Sequence, residues 1–266
     1  MGKLALITGG TSGIGLAYAK ALAAQGYDLI LTGRRKEDLK KKSDYLSGTY
    51  HIKVFICLVD FKNTKAFDKF IDFIRTQPID ILINNAGYGL EKSFMEDELE
   101  NQLDMLKVHV HASVILAHVV ASSLKKRERS GAIINVCSLA AYTPLPTSAM
   151  YCSTKSFLIS FSKALAMELK PFGIKVQALC PGFVHTDFHS RLNIPKEACK
   201  NRGIITWATP KEVVLESLQA LERNQIFLVP GSLNKIAYHL LKFVPNKAYL
   251  AAVSHYSGLF SRKNQN

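Results

Sequence analysis

The sequence has few cysteines, and nothing in their spacing pairs them. The five cysteines are odd in number, form no CxxC motif and lie mostly in apolar runs: Cys57, Cys137, Cys152, Cys180 and Cys199. This pattern argues against a disulfide framework and a zinc site, because both use cysteines at regular, paired spacings. We expect small buried thiols in a protein of a reducing compartment, and no metal centre.

The sequence also lacks an evident targeting segment and a long apolar run. The first apolar stretch, residues 4–7, is too short for a signal peptide, and Leu6 stands where a myristoylation motif has Ser or Thr. The longest run, residues 110–124, is interrupted by His111 and His118. It is shorter than the roughly 18 residues that span a bilayer. These features predict a cytoplasmic protein.

Positive charge is in excess but is not concentrated. The formal net charge is +13, and the basic residues are spread over 36–42, 125–129 and the last few positions. Such an excess attracts nucleic acid, anionic lipid or an anionic cofactor. No aromatic residues interleave with the basic ones to mark a nucleic-acid groove. We therefore expect a basic surface and no nucleic-acid partner.

The order of apolar runs predicts the fold class. With 266 residues, 48% of them hydrophobic, the chain is long enough to bury one large core. Strand-like runs alternate with helical patterns, which predicts right-handed crossovers, a doubly wound parallel sheet and one α/β domain over 1–266. Predicted strands are 3–8, 28–32, 52–59, 80–83, 132–136, 174–179 and 226–229; predicted helices are 14–25, a basic helix ending near 46, 64–76, 99–124 and 148–170.

A glycine-rich turn, Thr8-Gly9-Gly10-Thr11-Ser12-Gly13-Ile14-Gly15, joins the first predicted strand to the first helix. Glycines let a backbone approach a pyrophosphate, which then lies at a helix N-terminus. At this place in the fold the turn predicts a dinucleotide site. The second strand ends Thr32-Gly33-Arg34-Arg35, without an acid. An arginine suits a 2′-phosphate, so we predict NADP(H); alternatively, both arginines simply begin a basic helix.

A second cluster of polar residues predicts proton chemistry. Tyr151 and Lys155 are four apart, so on a helix they share one face. An ammonium beside a phenol favours phenolate and lowers the phenol pKa. Ser138 follows the strand-like run 132–136 and is placed to hydrogen-bond the same substrate oxygen. On spacing alone, a Tyr–Lys pair is more often packing or solvated surface.

The ordered set of motifs resembles the short-chain dehydrogenase/reductase family. To the glycine turn, Ser138 and the Tyr151–Lys155 pair it adds Asn84-Asn85-Ala86-Gly87 and Pro181-Gly182. The resemblance covers residues 3 to about 190. It implies a Rossmann-type sheet and hydride transfer between a nicotinamide and a carbonyl or secondary alcohol. Epimerases and dehydratases with a Tyr-x-x-x-Lys pair are less similar, because their glycine turns usually have another spacing and they carry a longer substrate domain.

The resemblance also implies roles for individual residues. Tyr151 is the implied proton donor, Ser138 orients the substrate oxygen, and Lys155 lowers the tyrosine pKa and holds the nicotinamide ribose. Asp60, with Phe61 beside it, is the implied adenine contact. The other implied cofactor residues are Gly9, Thr11, Ser12, Gly13, Ile14, Gly15, Arg34, Arg35, Asn85, Ala86, Gly87, Pro181, Gly182, Val184 and Thr186, with Tyr151 and Lys155.

One position departs from the family pattern. Alignment of residues 106–110 places His109 where the family carries an Asn that helps to hold a water chain from the lysine to solvent. A histidine donates, accepts and titrates near neutrality. It is therefore a candidate for holding the same water, for weakening the relay, or for a packing role alone. The departure motivates an alternative hypothesis, a dinucleotide-sensing binding protein with low turnover.

The substrate side is predicted from apolar character. Residues 188–225 are expected to form a flap over the nicotinamide. The apolar residues there and nearby favour an apolar ketone or 3-oxoacyl-type substrate, although an ordinary buried loop has the same composition. They are Pro144, Leu145, Pro146, Met150, Phe188, Leu192, Ile194, Ile204, Ile205 and Trp207.

The last segment, residues 232–260, has helical spacing of apolar residues with lysines between them. Such a helix packs on its own domain or a partner subunit, or lies on a membrane, as in a membrane-peripheral reductase of lipid metabolism. The resemblance further implies a homodimer or homotetramer paired through the helices at 99–124 and 148–170. The apolar and basic positions of the segment are Ile236, Ala237, Leu240, Leu241 and Val244, and Lys235, Lys242 and Lys247.

Overall fold

A computed structural model of the protein describes residues 2–90, 92–190, 201 and 206–244. Seven parallel strands form one sheet in the order β3-β2-β1-β4-β5-β6-β9, and β7 and β8 pair separately. The predicted doubly wound α/β fold is thereby confirmed. The strands are β1 (Leu4–Ile7), β2 (Asp28–Gly33), β3 (Val54–Leu58), β4 (Ile81–Asn84), β5 (Gly131–Val136), β6 (Ile174–Leu179), β7 (Phe183–Val184), β8 (Trp207–Ala208) and β9 (Phe227–Leu228).

Helices cover both faces of the large sheet. They are α1 (Gly13–Ala24), α2 (Lys36–Tyr50), α3 (Thr64–Arg75), α4 (Leu99–Leu106), α5 (Ala112–Lys126), α6 (Ala149–Leu169), α7 (Asp187–Ser190), α8 (Pro210–Glu222) and α9 (Ser232–Phe243). A π-helical turn, Lys107–His111, joins α4 to α5, and short 3₁₀ turns lie at Leu139–Tyr142 and Lys170–Phe172.

The central strands are apolar because both of their faces are covered. All four residues of β1 are buried. Leu4 and Leu6 belong to the core beneath α3 and α5, whereas Ala5 and Ile7 belong to the core beneath α1, α2 and α8. The strand order reverses between β1 and β4, where Leu6 pairs with Leu82. Ligands of such sheets lie outside the carboxyl ends of the strands at this reversal.

The helix expected over 99–124 is a longer run that the π turn divides. Leu99–Lys126 has a mean hydropathy of 1.4 in its most apolar window, and by length and composition alone it is a candidate membrane span. This differs from the expectation that no segment is long enough. In that window 56% of the residues are buried inside the domain, which is how a core helix packs. Leu116 and Leu124, for example, are fully buried against the sheet.

The region expected to be a flap includes the helix α8. In the described part of 188–225, α8 packs on α1, and the hydroxyls of Tyr18 and Ser217 lie 2.5 Å apart in a hydrogen bond. Thr209 and Glu212 close the N-terminus of α8 with a reciprocal capping box, which stabilises its first turn. The predicted flap residues Leu192, Ile194, Ile204 and Ile205, and the tail residue Lys247, lie outside the described residues.

Candidate active site

The glycine turn after β1 forms a cradle that only small residues permit. Gly9 and Gly13 have positive φ angles of 65° and 53°. A Cβ at Gly15 would lie 2.3 Å from the carbonyl oxygen of Gly9, so only glycine fits there. Ser12 precedes α1 without a side-chain capping bond, which leaves the first amide groups of the helix to bind an anion. The predicted contacts Thr11 and Ile14 belong to this turn. This geometry fits a pyrophosphate.

The segment after β4 is tied to that turn. The Thr8 hydroxyl accepts from the backbone amides of Asn85 and Ala86, both at 2.9 Å. In return, the Asn85 side-chain amide donates to the carbonyls of Thr8 (2.9 Å) and Gly9 (3.1 Å). A Cβ at Gly87 would lie 3.1 Å from His109 Nε2. The predicted segments 8–15 and 85–87 therefore form one wall of the site.

The predicted adenine end is charged and open. Arg34 is about half exposed, and its Nη1 lies 3.9 Å from Asp60 Oδ2. Arg35 instead forms an ion pair with Asp38, along α2. The ring of Phe61 is buried with that of Phe67, 5.3 Å between centroids, and the place of Phe61 beside the adenine contact stays a prediction. Arg34 and Asp60, two of the predicted cofactor residues, therefore lie side by side.

The predicted catalytic residues meet at the carboxyl end of β5. Ser138 begins the 3₁₀ turn, and its Oγ accepts from the amide of Ala140 at 3.1 Å. Lys155 Nζ donates to the carbonyl of Val136 at 2.8 Å and lies 5.7 Å from the centroid of the Tyr151 ring. Lys155 is only 5% exposed. Lys155 therefore faces the interior, whereas Tyr151 is half-buried.

The environment of Tyr151 keeps its phenol protonated. Burial raises the pKa of Tyr151 to about 12, although a hydrogen bond with the Ser138 hydroxyl opposes the rise. Burial also lowers the pKa of Lys155. The lowering of the tyrosine pKa by Lys155 stays a prediction. A protonated phenol beside an ammonium can donate a proton, and the ammonium then stabilises the phenolate that remains.

His109 lies in the π turn, fully buried beside Tyr151. Its Nε2 accepts from the backbone amide of Tyr88 at 3.0 Å, and its Nδ1 lies 3.0 Å from Thr154 Oγ1. The His109 and Tyr151 ring centroids are 5.9 Å apart, edge to face. Burial, with the charge of Lys155, lowers the pKa of His109 well below its ordinary value.

The predicted nicotinamide wall is formed by contacts between distant parts of the chain. The Pro181 carbonyl accepts from the amide of Leu139 at 3.0 Å. A Cβ at Gly182 would lie 2.8 Å from Asn234 Oδ1, and one at Gly13 would lie 3.0 Å from Thr186 Cγ2. This wall therefore touches both the pyrophosphate cradle and α9. Val184, also predicted here, is buried in β7.

Two of the predicted substrate residues have aromatic neighbours. The ring of Phe188 lies 5.6 Å from that of Tyr151, which places it at the proton donor. Trp207 of β8 stacks on Phe183 and on His185, with 5.1 Å between ring centroids in each case. Leu145 is 52% exposed and Met150 is half-buried, in the chain just before Tyr151.

Sequence reasoning missed several residues that shape the site. Thr154 lies inside the Tyr151–Lys155 turn, so its position was a usable signal. Asn234 and Tyr238 come from α9, where only apolar spacing was visible. Asn234 Nδ2 donates to the Pro230 carbonyl at 3.1 Å, and Tyr238 packs on Tyr142 at 4.9 Å between ring centroids.

Comparisons with known proteins agree with this geometry. A family model described as short chain dehydrogenase matches residues 3–197. The chain is 35% identical over 198 residues to 3-oxoacyl-[acyl-carrier-protein] reductase FabG of Aquifex aeolicus (strain VF5), covering 72% of this chain and 78% of that protein. Among solved structures, a short-chain dehydrogenase from Sphingobium yanoikuyae in complex with NADPH superimposes with a TM-score of 0.80 and 27% identity, covering 92% of this chain and 97% of that one.

A third relative has a different description. The chain is 31% identical over 186 residues to a mouse (Mus musculus) protein named inactive hydroxysteroid dehydrogenase-like protein 1. The match covers 69% of this chain and 56% of that protein, so it spans little more than half of that relative.

Proposed function

The chain belongs to the short-chain dehydrogenase family of oxidoreductases, and from this premise we propose that it is an NADP(H)-dependent reductase of an apolar ketone or 3-oxoacyl-type substrate. The single observation that carries the proposal is the placement of the half-buried Tyr151 between the Ser138 hydroxyl and the buried ammonium of Lys155. It provides a proton at the carboxyl end of the sheet, beside a cradle that suits a dinucleotide.

The residues divide the work of reduction. The cradle of Gly9, Gly13 and Gly15 would hold NADPH, which when bound would supply hydride for the carbonyl carbon. Ser138 hydrogen-bonds the carbonyl oxygen, and Tyr151 donates its phenolic proton to that oxygen. Lys155 then stands 5.7 Å from the ring centroid and stabilises the phenolate by its charge. In the reverse direction the same phenolate accepts the proton of a secondary alcohol.

The adenine end supports NADP(H) over NAD(H). Arg34 is exposed after β2, and its nearest carboxylate, Asp60, is 3.9 Å away. Surface ion pairs of this kind contribute little, so a 2′-phosphate can displace the contact and take the guanidinium instead. The cradle residues Gly9, Gly13 and Gly15 hold the pyrophosphate.

An apolar substrate is supported by the rings and side chains near Tyr151. Phe188 lies against Tyr151, while Leu145 and Met150 come just before Tyr151 in the chain. The Aquifex aeolicus relative is named for reduction of a 3-oxoacyl group, and this supports the same class of substrate here.

The test is NADPH oxidation with 3-oxoacyl thioesters and bulky ketones, with NADH as the control cofactor. We expect turnover of at least one member, and we expect Tyr151→Phe to lower kcat by roughly 10²–10⁴-fold, the usual range for loss of a general acid. The variant should still bind NADPH. Full activity without the phenol would refute the assigned roles.

A second candidate is a reductase that lies on a membrane surface. On α9, Leu233, Ile236, Leu240 and Phe243 recur at helical spacing and are 43%, 52%, 56% and 82% exposed. Asn234 and Tyr238 face the domain on the opposite side. Co-sedimentation with anionic vesicles tests this, and Ile236→Lys with Leu240→Lys should abolish it. If the protein does not bind these vesicles, we propose a cytoplasmic location.

A third candidate, a low-turnover dinucleotide sensor, is favoured by the name of the mouse relative. It predicts NADPH binding without turnover on any substrate. The presence of Ser138, Tyr151 and Lys155 in contact favours the enzyme.

We also propose a homodimer. An apolar groove of about 480 Å³, which includes Leu106, Val110 and Val114, lies between the α4–α5 helix and the start of α3. Light scattering of wild type and Val110→Lys tests this assembly, because a charge there should leave monomers.

A further inference from the structure

His109 lies where three parts of the site meet. The π turn carries it between the segment after β4 and the first turn of α6. The centroid of its ring lies 5.6 Å from that of Tyr88 and 5.9 Å from that of Tyr151. π-Helical turns inside α-helices often occur at functional sites. Here the turn aims a polar ring into a fully buried position.

The hydrogen-bond partners determine which ring nitrogen carries the proton. The backbone N–H of Tyr88 can only donate, so Nε2 accepts and is unprotonated. The Thr154 hydroxyl gives its single proton to the Tyr151 carbonyl at 2.9 Å. It must therefore accept from His109 at Nδ1, which carries the hydrogen. The assignment follows from the donors and acceptors present.

This pattern leaves neither ring nitrogen available to a water or to a migrating proton. Protonation of Nε2 would set it against the Tyr88 amide, donor against donor. The groups that face the ring are Lys155, whose charge disfavours imidazolium, and the neutral phenols of Tyr88 and Tyr151. The His109 carbonyl is also engaged, because Ser113 Oγ donates to it at 2.7 Å.

We propose that His109 is a positioning residue which, as the neutral Nδ1–H tautomer, clamps the 85–88 segment to the first turn of α6. It thereby fixes the wall beside the nucleotide ribose relative to the proton donor Tyr151. The side chain does not carry protons. The kinetic consequences rest on the proposed function, whereas the bond pattern does not.

Nitrogen-15 NMR of the full chain tests the tautomer without any substrate. The chain has eight histidines, and His109→Asn identifies the signal that belongs to His109. We expect that signal to show the Nδ1–H form and to stay unchanged well below the ordinary histidine pKa of about 6.5. An Nε2–H form, or titration near that value, overturns the proposal.

Two variants separate the two bonds of the clamp. In His109→Asn the amide can replace Nδ1 but is too short to reach the Tyr88 amide. In His109→Gln the amide oxygen can replace Nε2, and the bond to Thr154 is lost. Loss of one bond to a buried group corresponds to roughly 5- to 150-fold. We expect this loss in NADPH affinity for Asn, and in kcat for Gln. His111→Asn, exposed in the same π turn, is the matched control and should change neither.

A relay role predicts a different outcome. If His109 moved protons, both variants would lower kcat alike and shift the pH profile of kcat, and either result overturns the clamp. Unchanged NADPH affinity and kcat in both folded variants overturns it too. If wild type reduces no substrate, the proposed function fails, but the tautomer and the NADPH dissociation constants still decide whether the clamp exists.

Discussion

The wall that borders the nucleotide and the wall that borders the nicotinamide are built differently. The first is made by backbone: Gly15 leaves room for the carbonyl of Gly9, and Asn85 holds that carbonyl from the next strand. The second is made by a side chain from far along the sequence, because Asn234 of α9 fills the space beside Gly182. A backbone wall cannot yield to an added atom, whereas a side-chain wall can.

This difference predicts unequal tolerance to the same substitution. Near Gly9 the neighbouring atoms belong to the main chain and to an amide with two hydrogen bonds. Near Gly182 the three nearest atoms all belong to the side chain of Asn234. Substitutions in the first wall should therefore lower cofactor affinity or activity most. The effect of a substitution in the second wall should be reduced by a second substitution at Asn234.

The largest effect is expected at Gly15. In Gly15→Ala the new Cβ would lie 2.3 Å from the Gly9 carbonyl oxygen and 2.5 Å from Asn85 Nδ2, and neither can move without opening the cradle. We expect NADPH affinity to fall by more than about 100-fold, which corresponds to about 2.7 kcal/mol. Fluorescence titration of the bound nicotinamide measures this.

Gly48→Ala is the matched control. Gly48 lies within α2, and a Cβ there would meet nothing within 4 Å. Alanine is the better helix former, so the free energy of unfolding should rise by about 0.5–1 kcal/mol, and NADPH affinity should not change. An equal loss of NADPH affinity in Gly15→Ala and Gly48→Ala would show that the close packing at the cradle is not what binds the cofactor.

An intermediate effect is expected at the adenine end, where the nucleotide wall depends on a side chain. Arg34→Ser removes the guanidinium proposed for the 2′-phosphate. A charge-assisted, bidentate bond of that kind is stronger than a neutral one, so the KM for NADPH should rise by roughly 10- to 100-fold. The KM for NADH should stay the same.

Arg35→Ser serves as the control for Arg34. Arg35 is paired with Asp38, and we expect its loss to affect NADPH much less. If Arg34→Ser weakened both cofactors equally, the arginine would act through structure and not through the 2′-phosphate.

The nucleotide wall was predictable from sequence because its signals are local. A glycine turn between a strand and a helix, and arginines after the next strand, occupy a few consecutive residues. Thr8 and Asn85 are 77 residues apart, yet both lie at predicted strand ends, and β1 and β4 are neighbours. Parallel topology alone brings such ends together.

Other parts of the site were less predictable for physical reasons. The π turn at 107–111 keeps a helical pattern of side chains, so sequence showed one helix without the turn that aims His109 inward. Phe61 follows Asp60 directly, and sequence does not distinguish a ring in a loop from one in a core. Asn234 reads as a polar position on an amphipathic helix. Its contact with Gly182 exists only because α9 packs across the end of β6.

The smallest effect is expected at Gly182, and it tests the comparison most directly. In Gly182→Ala the new Cβ would lie 2.8 Å from Asn234 Oδ1 and 3.0 Å from Cγ, so the Asn234 side chain must shift. We expect kcat/KM to fall by roughly tenfold, about 1.4 kcal/mol, with folding retained.

Asn234→Ala alone removes the bond from this side chain to the Pro230 carbonyl and should also lower kcat/KM. The double variant should be less impaired than Gly182→Ala, because the shorter side chain at position 234 leaves room for the added methyl group. Additive losses would mean that the two residues act independently, and a loss as severe as that of Gly15→Ala would mean that this wall is as rigid as the other.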